Sequence, residues 1–168
     1  MFRKCIGILM LLCIFFSVGQ SLATPTQRQD TTRRLYDRVM DEFKHRDYEA
    51  AMATLKGLLS TDNADVLFLY GASLLNLQQP ADAMPYLKAA ITRNSRHLPA
   101  RAALGQALLQ LGKNEDAVGL LESALAADQD GSIHFQLFRA YQLTNRPAEA
   151  QQALAAYQRL RASLAGTP

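Results

Sequence analysis

Ala103–Asp128 read ALGQALLQLGKNEDAVGLLESALAAD. Two amphipathic runs meet at Gly112-Lys113-Asn114, and their spacing predicts helices over 98–111 and 114–127. Small residues interrupt both apolar stripes: Gly105, Ala117 and Ala124 stand where larger side chains would bury more surface. Glycine inside a helix costs about 1 kcal/mol relative to alanine. Close approach of a second helix is the offset these positions imply.

The same punctuation recurs along the chain. Ala51, Ala83, Ala117 and Ala150 follow one another at intervals of 32, 34 and 33 residues. Four residues after each stands a leucine: Leu55, Leu87, Leu121 and Leu154. Gly71 and Gly105 each precede their alanine by 12 residues. Further helices are predicted over 32–45, 47–60, 65–78, 80–93, 132–144 and 147–165. Asp47, Pro80, Asn114, Ser132 and Pro147 stand at their first turns. No sustained period-two run of Val, Ile and Thr appears, so the fold class is all-α. The chain of 168 residues, 49% hydrophobic and without Trp, suits a single domain of closely packed helices.

The amino terminus carries a different signal. Arg3 and Lys4 precede an uncharged apolar core over 5–19, and Ser21-Leu22-Ala23 offers small residues for cleavage after Ala23. This is the pattern of a secretory signal peptide, 1–23, followed by a polar linker, 24–31. The apolar run of about 15 residues falls short of the ~20 that span a bilayer. Leu12 before Cys13 is too bulky for lipoprotein processing. The expected location is therefore across the inner membrane, in a bacterial periplasm; an anchored, uncleaved form is the alternative, and membrane contact is expected only in that case. Cleavage removes both cysteines, Cys5 and Cys13, and with them any disulfide. It also leaves 16 basic against 15 acidic residues, so charge gives no support to a nucleic-acid partner.

The four in-phase units resemble the tetratricopeptide repeat, a 34-residue helix-turn-helix with the pattern W-x2-L-G-x2-Y…A-x3-F…P. Leu67, Tyr70, Gly71 and Leu74 fill the first-helix positions of one unit, and Ala83 and Leu87 its A-x3-F element. The next unit gives Arg101, Leu104, Gly105 and Leu108 with Ala117 and Leu121. The fourth gives His134, Leu137, Phe138 and Tyr141 with Ala150 and Leu154. The closing proline is replaced by Asn63, Ser95 and Gln129. The resemblance implies a right-handed α-solenoid over 32–165, with repeats near 32–64, 65–96, 98–130 and 132–164. It implies that Gly71 meets Ala83 and Gly105 meets Ala117 within hairpins, and that Ala90 and Ala124 pack between repeats. Val39 and Phe138 take the glycine position in the end repeats, and Leu58 and Tyr157 the later alanine, as terminal repeats are often atypical. The last helix is expected to face inward with Ala150, Leu154, Tyr157, Leu160 and Leu164.

Catalytic signals are missing from this pattern. His45, His97 and His134 fall in different repeats without a ligand partner at helical spacing. No nucleophile elbow or phosphate-binding glycine loop occurs. Adjacent carboxylates such as Asp41-Glu42 and Glu115-Asp116 diverge on a helix. No enzyme activity, metal, cofactor or small-molecule substrate is expected.

The resemblance instead implies a protein or peptide partner bound along the first helices. The corresponding positions are Tyr36, Met40 and Phe43; Phe68, Ala72, Leu75 and Asn76; Ala102, Gln106, Leu109 and Gln110; and Phe135, Arg139 and Gln142. This lining is aromatic and amide-rich, with Phe68 and Phe135 expected to flank a depression at Ala72 and Ala102. An apolar or amphipathic segment is the expected ligand. Basic residues Lys88, Arg93, Arg96, Arg101 and Lys113 precede an acidic stretch of Glu115, Asp116, Glu122, Asp128 and Asp130. Such blocks are ordinarily solvated turns. The expected role is a non-catalytic adaptor or scaffold in envelope or secretion-complex assembly. An accessory subunit of an envelope enzyme is an alternative; so is a self-associating array, favoured if Leu35 and Val39 are exposed.

Overall fold

The structure, a computed structural model, describes residues 25–166, with side chains from Arg33 onward. The proposed signal peptide lies outside the described residues. Among the described residues eight α-helices follow one another: α1 Pro25–Lys44, α2 Tyr48–Lys56, α3 Ala64–Asn76, α4 Pro80–Arg93, α5 Leu98–Gln110, α6 Asn114–Ala124, α7 Ser132–Leu143 and α8 Pro147–Ala165. Single 3-10 turns cover Leu59–Thr61 and Leu125–Ala127. No strand occurs among the described residues.

The chain divides into two compact units, residues up to Asp37 and residues from Arg38. In the first, the stretch expected as a linker is helical from Pro25. Proline suits a first helical turn, and no glycine or second proline interrupts the Gln- and Arg-containing run that follows. Tyr36 is exposed there and Leu35 half-buried.

In the second unit, helix boundaries follow local chemistry. The predicted helix over 47–60 stops at Lys56, because Gly57 caps it and the chain tightens into the 3-10 turn. The helix predicted over 114–127 likewise ends at Ala124 in a 3-10 turn. Side chains satisfy orphan amides at several starts: Asp47 accepts from Ala50 N–H at 3.1 Å, Asn63 from Asp65 N–H at 2.8 Å and His97 Nδ1 from Ala100 N–H at 3.1 Å. Pro80 and Pro147 begin α4 and α8.

Each hairpin closes in the same way. Arg46, Gln78, Gly112 and Asn145 adopt left-handed backbone at φ 61°, 60°, 74° and 57°. The residue after each returns a hydrogen bond to a carbonyl five residues back: Asp47 N–H to Glu42, Gln79 to Leu74, Lys113 to Leu108 and Arg146 to Tyr141, at 2.8–2.9 Å. These turns are Schellman-type closures, which satisfy the last carbonyls of the first helix.

The repeating alanine-leucine pairs are the centre of the core. Ala51, Ala83, Leu87, Ala117 and Leu121 are wholly buried, and Leu55 is 1% exposed. The glycines meet the expected alanines and lie still closer to the leucines that follow them. A Cβ on Gly71 would lie 2.8 Å from Leu87 Cγ, and one on Gly105 would lie 2.7 Å from Leu121 Cγ. The backbone carbonyls of Ala83 and Ala117 come next, at 3.4 Å. The glycine therefore accommodates the leucine one turn beyond the alanine. Ala90 packs with Leu67 and Ala100 between repeats, and Ala124 lies in the cluster holding Ile133 and Leu137.

The end repeats depart from this scheme. Val39 is fully buried in a separate cluster with Ala51, Leu55, Val66 and Leu69. Phe138 is half-buried, and beside it a hollow of about 340 Å³ extends along Gln142, Arg146, Pro147 and Ala150. In α8, Ala150 and Ala153 are buried, Leu154, Tyr157 and Leu160 half-buried, and Leu164 is 48% exposed. Polar ties reinforce the last junctions. Tyr141 Oη donates to Glu122 Oε1 at 2.7 Å, and the Arg146 guanidinium lies 4.6 Å from the Tyr141 ring centroid. Arg146 Nε donates to Glu149 at 2.9 Å. Burial, then the hydrogen bond to Glu122, pushes the Tyr141 phenol up to about 12.

Candidate functional site

Two adjoining hollows lie over the first helices of the second, third and fourth repeats. One, of about 260 Å³, is lined by Phe68, Ala72, Leu75 and Asn76 of α3, Pro99, Ala102, Ala103 and Gln106 of α5, and Ile133 and Gln136 with their neighbours Ala127 and Ser132. The other, of about 360 Å³, is lined by Gln106, Leu109 and Gln110 of α5, Asp130, Ser132, Phe135, Gln136 and Arg139 around α7, and Tyr157 and Arg161 of α8. Gln106, Ser132 and Gln136 belong to both, so the hollows are contiguous.

Their positions follow from helical spacing. Phe68, Ala72 and Leu75 share one face of α3, and Ala102, Gln106 and Leu109 share the matching face of α5. Leu75 and Leu109 are buried at 2% and 9% exposure and form floor. Alanine at 72 and 102 leaves the space that makes the first hollow. Phe68 is half-buried, packs against core on one side, and lies 5.0 Å from the His97 ring centroid to centroid. It serves packing and lining together.

The expected groove residues are brought together only in part. Phe68, Ala72, Leu75, Asn76, Ala102 and Gln106 form the first hollow, and Gln106, Leu109, Gln110, Phe135 and Arg139 the second. Phe135 does not flank the depression at Ala72 and Ala102. It is 41% exposed and packs at a tilt 5.3 Å from Tyr157, because that tyrosine fills the position where the second and third repeats have alanine. Met40 is 46% exposed and lines neither hollow; Phe43 packs edge-to-face on Tyr48 at 5.5 Å. Tyr36 belongs to the first unit. Gln142 lines the hairpin hollow beside Phe138 instead.

The sequence reading missed Gln136, Tyr157, Arg161 and Asp130. The bulk of Tyr157 at a small-residue position was visible, and Arg161 follows it by four residues on the same helical face. These residues make the second hollow more charged than expected. Asp130 accepts from Ser132 N–H at 2.9 Å, and that bond holds its carboxyl below the usual range. Arg139 and Arg161 make no ion pair among the described residues.

Two of the histidines are engaged in local ties. His97 is buried and joins Ala100 N–H to Asp65 Oδ1, its Nε2 lying 3.0 Å from that carboxylate. His134 pairs with Asp128, whose buried carboxylate also accepts from the His134 and Ile133 amides. The basic and acidic blocks are partly consumed in local ties: Arg93 pairs with Asp62, and Arg101 donates to the Ser95 carbonyl at 2.7 Å. Among the described residues no group of three or more metal-ligating side chains converges, and no helix is long and apolar enough to cross a membrane.

Comparison with known proteins agrees with this architecture. Two tetratricopeptide repeat profiles match, one over residues 36–99 and one over 74–136. The chain is 26% identical over 131 residues to DnaJ homolog subfamily C member 3 of Gallus gallus, covering 77% of this chain and 26% of that protein. It thus spans about a quarter of that relative's length. YrrB, described as a TPR protein with an unusual peptide-binding site, superposes with a TM-score of 0.62 at 21% identity, covering 76% of this chain and 67% of that one. MamA from Desulfovibrio magneticus RS-1, residue 41 to its end, gives 0.67 at 19% identity over 82% and 80%. Residues 36–136 thus carry tetratricopeptide repeats in sequence and in fold.

Proposed function

We propose that the chain is a non-catalytic adaptor that holds an apolar or amphipathic segment of a protein partner along the first helices of repeats two to four. The observation that carries this reading is the apolar hollow of Phe68, Ala72, Leu75, Ala102 and Ala103. Its concave apolar lining with a few placed amides is the chemistry of a groove for peptide side chains. The peptide-binding description of YrrB accords with it. Val39 is fully buried and Leu35 half-buried, which weighs against the exposure that would favour a self-associating array.

Site-directed photo-crosslinking tests this assignment. A photoreactive residue at Ala102 should crosslink the partner in cells, and one at exposed Gly119 on α6 should not. The reverse pattern would place the partner on the second helices. The proposed setting is the periplasm, with assembly of an envelope or secretion complex as the role. Export predicts a mature amino terminus at Thr24, which mass spectrometry of the periplasmic fraction checks; a membrane-bound chain that begins at Met1 would contradict it.

A further inference from the structure

Four features set the second hollow apart from its apolar neighbour. Arg139 on α7 and Arg161 on α8 both line it, and neither is ion-paired among the described residues. The one carboxylate in the lining, Asp130, is already engaged by the Ser132 amide; Arg161 acts on it only through space. Gln136 lies at the junction of the two hollows, and its Oε1 is buried without a hydrogen-bond partner in the protein. A buried acceptor left unpaired is costly, and a donor supplied by a ligand removes that cost. Phe135 and Tyr157 pack beside these groups and give the hollow an aromatic wall.

We infer that this hollow is a polar subsite that fixes the direction of the bound segment. Its occupant is an acidic side chain, Asp or Glu, of the same partner segment whose apolar side chain fills the hollow at Ala102. Arg139 and Arg161 receive the carboxylate, with charge-assisted bonds that guanidinium geometry favours. Gln136 Oε1 accepts a main-chain N–H of the segment where it crosses between the hollows. The inference rests on the groove reading above and deepens it: the ligand is an amphipathic peptide carrying one apolar and one acidic anchor in a set order. Reversed, the segment would bring its carboxylate to the apolar lining of Phe68 and Ala72, which offers it no cation, and specificity of direction follows from that mismatch.

A random dodecapeptide library panned on the full chain tests this, with Ala102→Arg as the counter-selection. The peptides retained by the wild type and lost on Ala102→Arg should carry Asp or Glu at a fixed spacing on one side of an apolar residue. By fluorescence polarisation, Arg139→Gln and Arg161→Gln should each weaken such a peptide about 10-fold. A Glu→Gln version of the peptide should bind the wild type about 10-fold more weakly and lose its response to both arginine variants. Gln136→Leu, similar in size without the acceptor, should also weaken it, with the melting temperature unchanged or raised. Peptides that need Ala102 but lack an acidic residue, or that bind Arg139→Gln and Arg161→Gln at full strength, would overturn the polar subsite and leave the groove reading standing. Peptides that bind Ala102→Arg as tightly as the wild type would overturn the groove reading itself.

Discussion

Gly105 lies so close to Leu121 that a Cβ in its place would come within 2.7 Å of the leucine Cγ. Leu121 is fully buried and has nowhere to retreat. Gly105→Ala gains about 1 kcal/mol of helix propensity but incurs about 1–3 kcal/mol of overpacking. The expected net effect is a destabilisation of about 1 kcal/mol, measured by urea unfolding. Adding Leu121→Val should recover part of it, since the shorter side chain withdraws from the new methyl. Strict additivity of the two changes would contradict the contact.

The hairpin turns predict the opposite sign. Gln78 holds φ 60° between α3 and α4, where its counterpart in the next repeat is Gly112 at 74°. A side chain in left-handed backbone costs about 1 kcal/mol that glycine avoids. Gln78→Gly should raise the stability by about 0.5–1 kcal/mol in the same assay, with the unfolding cooperativity retained.

Tyr141 supplies a pH dependence. Its phenol ionises near 10 when unfolded and is pushed up to about 12 in the fold by burial and the bond to Glu122. The folded state favours the neutral phenol, so this contribution is complete below pH 10. It is lost as the pH rises from 10 through 12, a change on the order of 2 kcal/mol. The difference in unfolding free energy between the wild type and Tyr141→Phe should therefore shift in favour of Tyr141→Phe across that window. A difference constant between pH 9 and 12 would contradict the buried phenol.

The repeat was legible because packing in this fold is local and periodic. The spacing of Ala51, Ala83, Ala117 and Ala150 located the hairpins, and Asp47, Pro80 and Pro147 located helix starts with little error. What the spacing could not give was the depth of each contact: the glycines meet Leu87 and Leu121, one helical turn past the alanines. The groove was half legible for a related reason. Positions inferred by repeat register find Phe68, Ala72 and Ala102, which belong to regular repeats. They miss Tyr157 and Arg161, which reach the groove from the second helix of the fourth repeat, where Tyr157 stands at a position that is alanine in the second and third repeats. Gln136 was missed because its register counterparts Leu69 and Ala103 are buried, although Ala103 also borders the first hollow.

Phe68 illustrates why the groove must be tested away from the core. It touches packing residues of every core cluster as well as the hollow. Phe68→Ala should lower the stability by about 2–3 kcal/mol and weaken partner binding together. Phe135→Ala, at a more exposed site, should lower stability by less than about 1 kcal/mol while still weakening binding. Circular dichroism melts beside binding isotherms separate the two effects.

Ala102→Arg puts the central claim to its most direct test. Ala102 is half-buried in the wall of the apolar hollow, and the Gly105–Leu121 contact is untouched by the change. The new side chain fills the space and sets an unpaired charge against an apolar ligand, a loss of about 2 kcal/mol or more, about 30-fold in affinity. Titration of the tightest peptide panned on the wild type alone, without counter-selection, with a thermal melt of the same sample, should show that loss of affinity and a melting temperature within about 2 °C of the wild type. A folded Ala102→Arg chain that keeps its full affinity would contradict the account and place the ligand outside this groove.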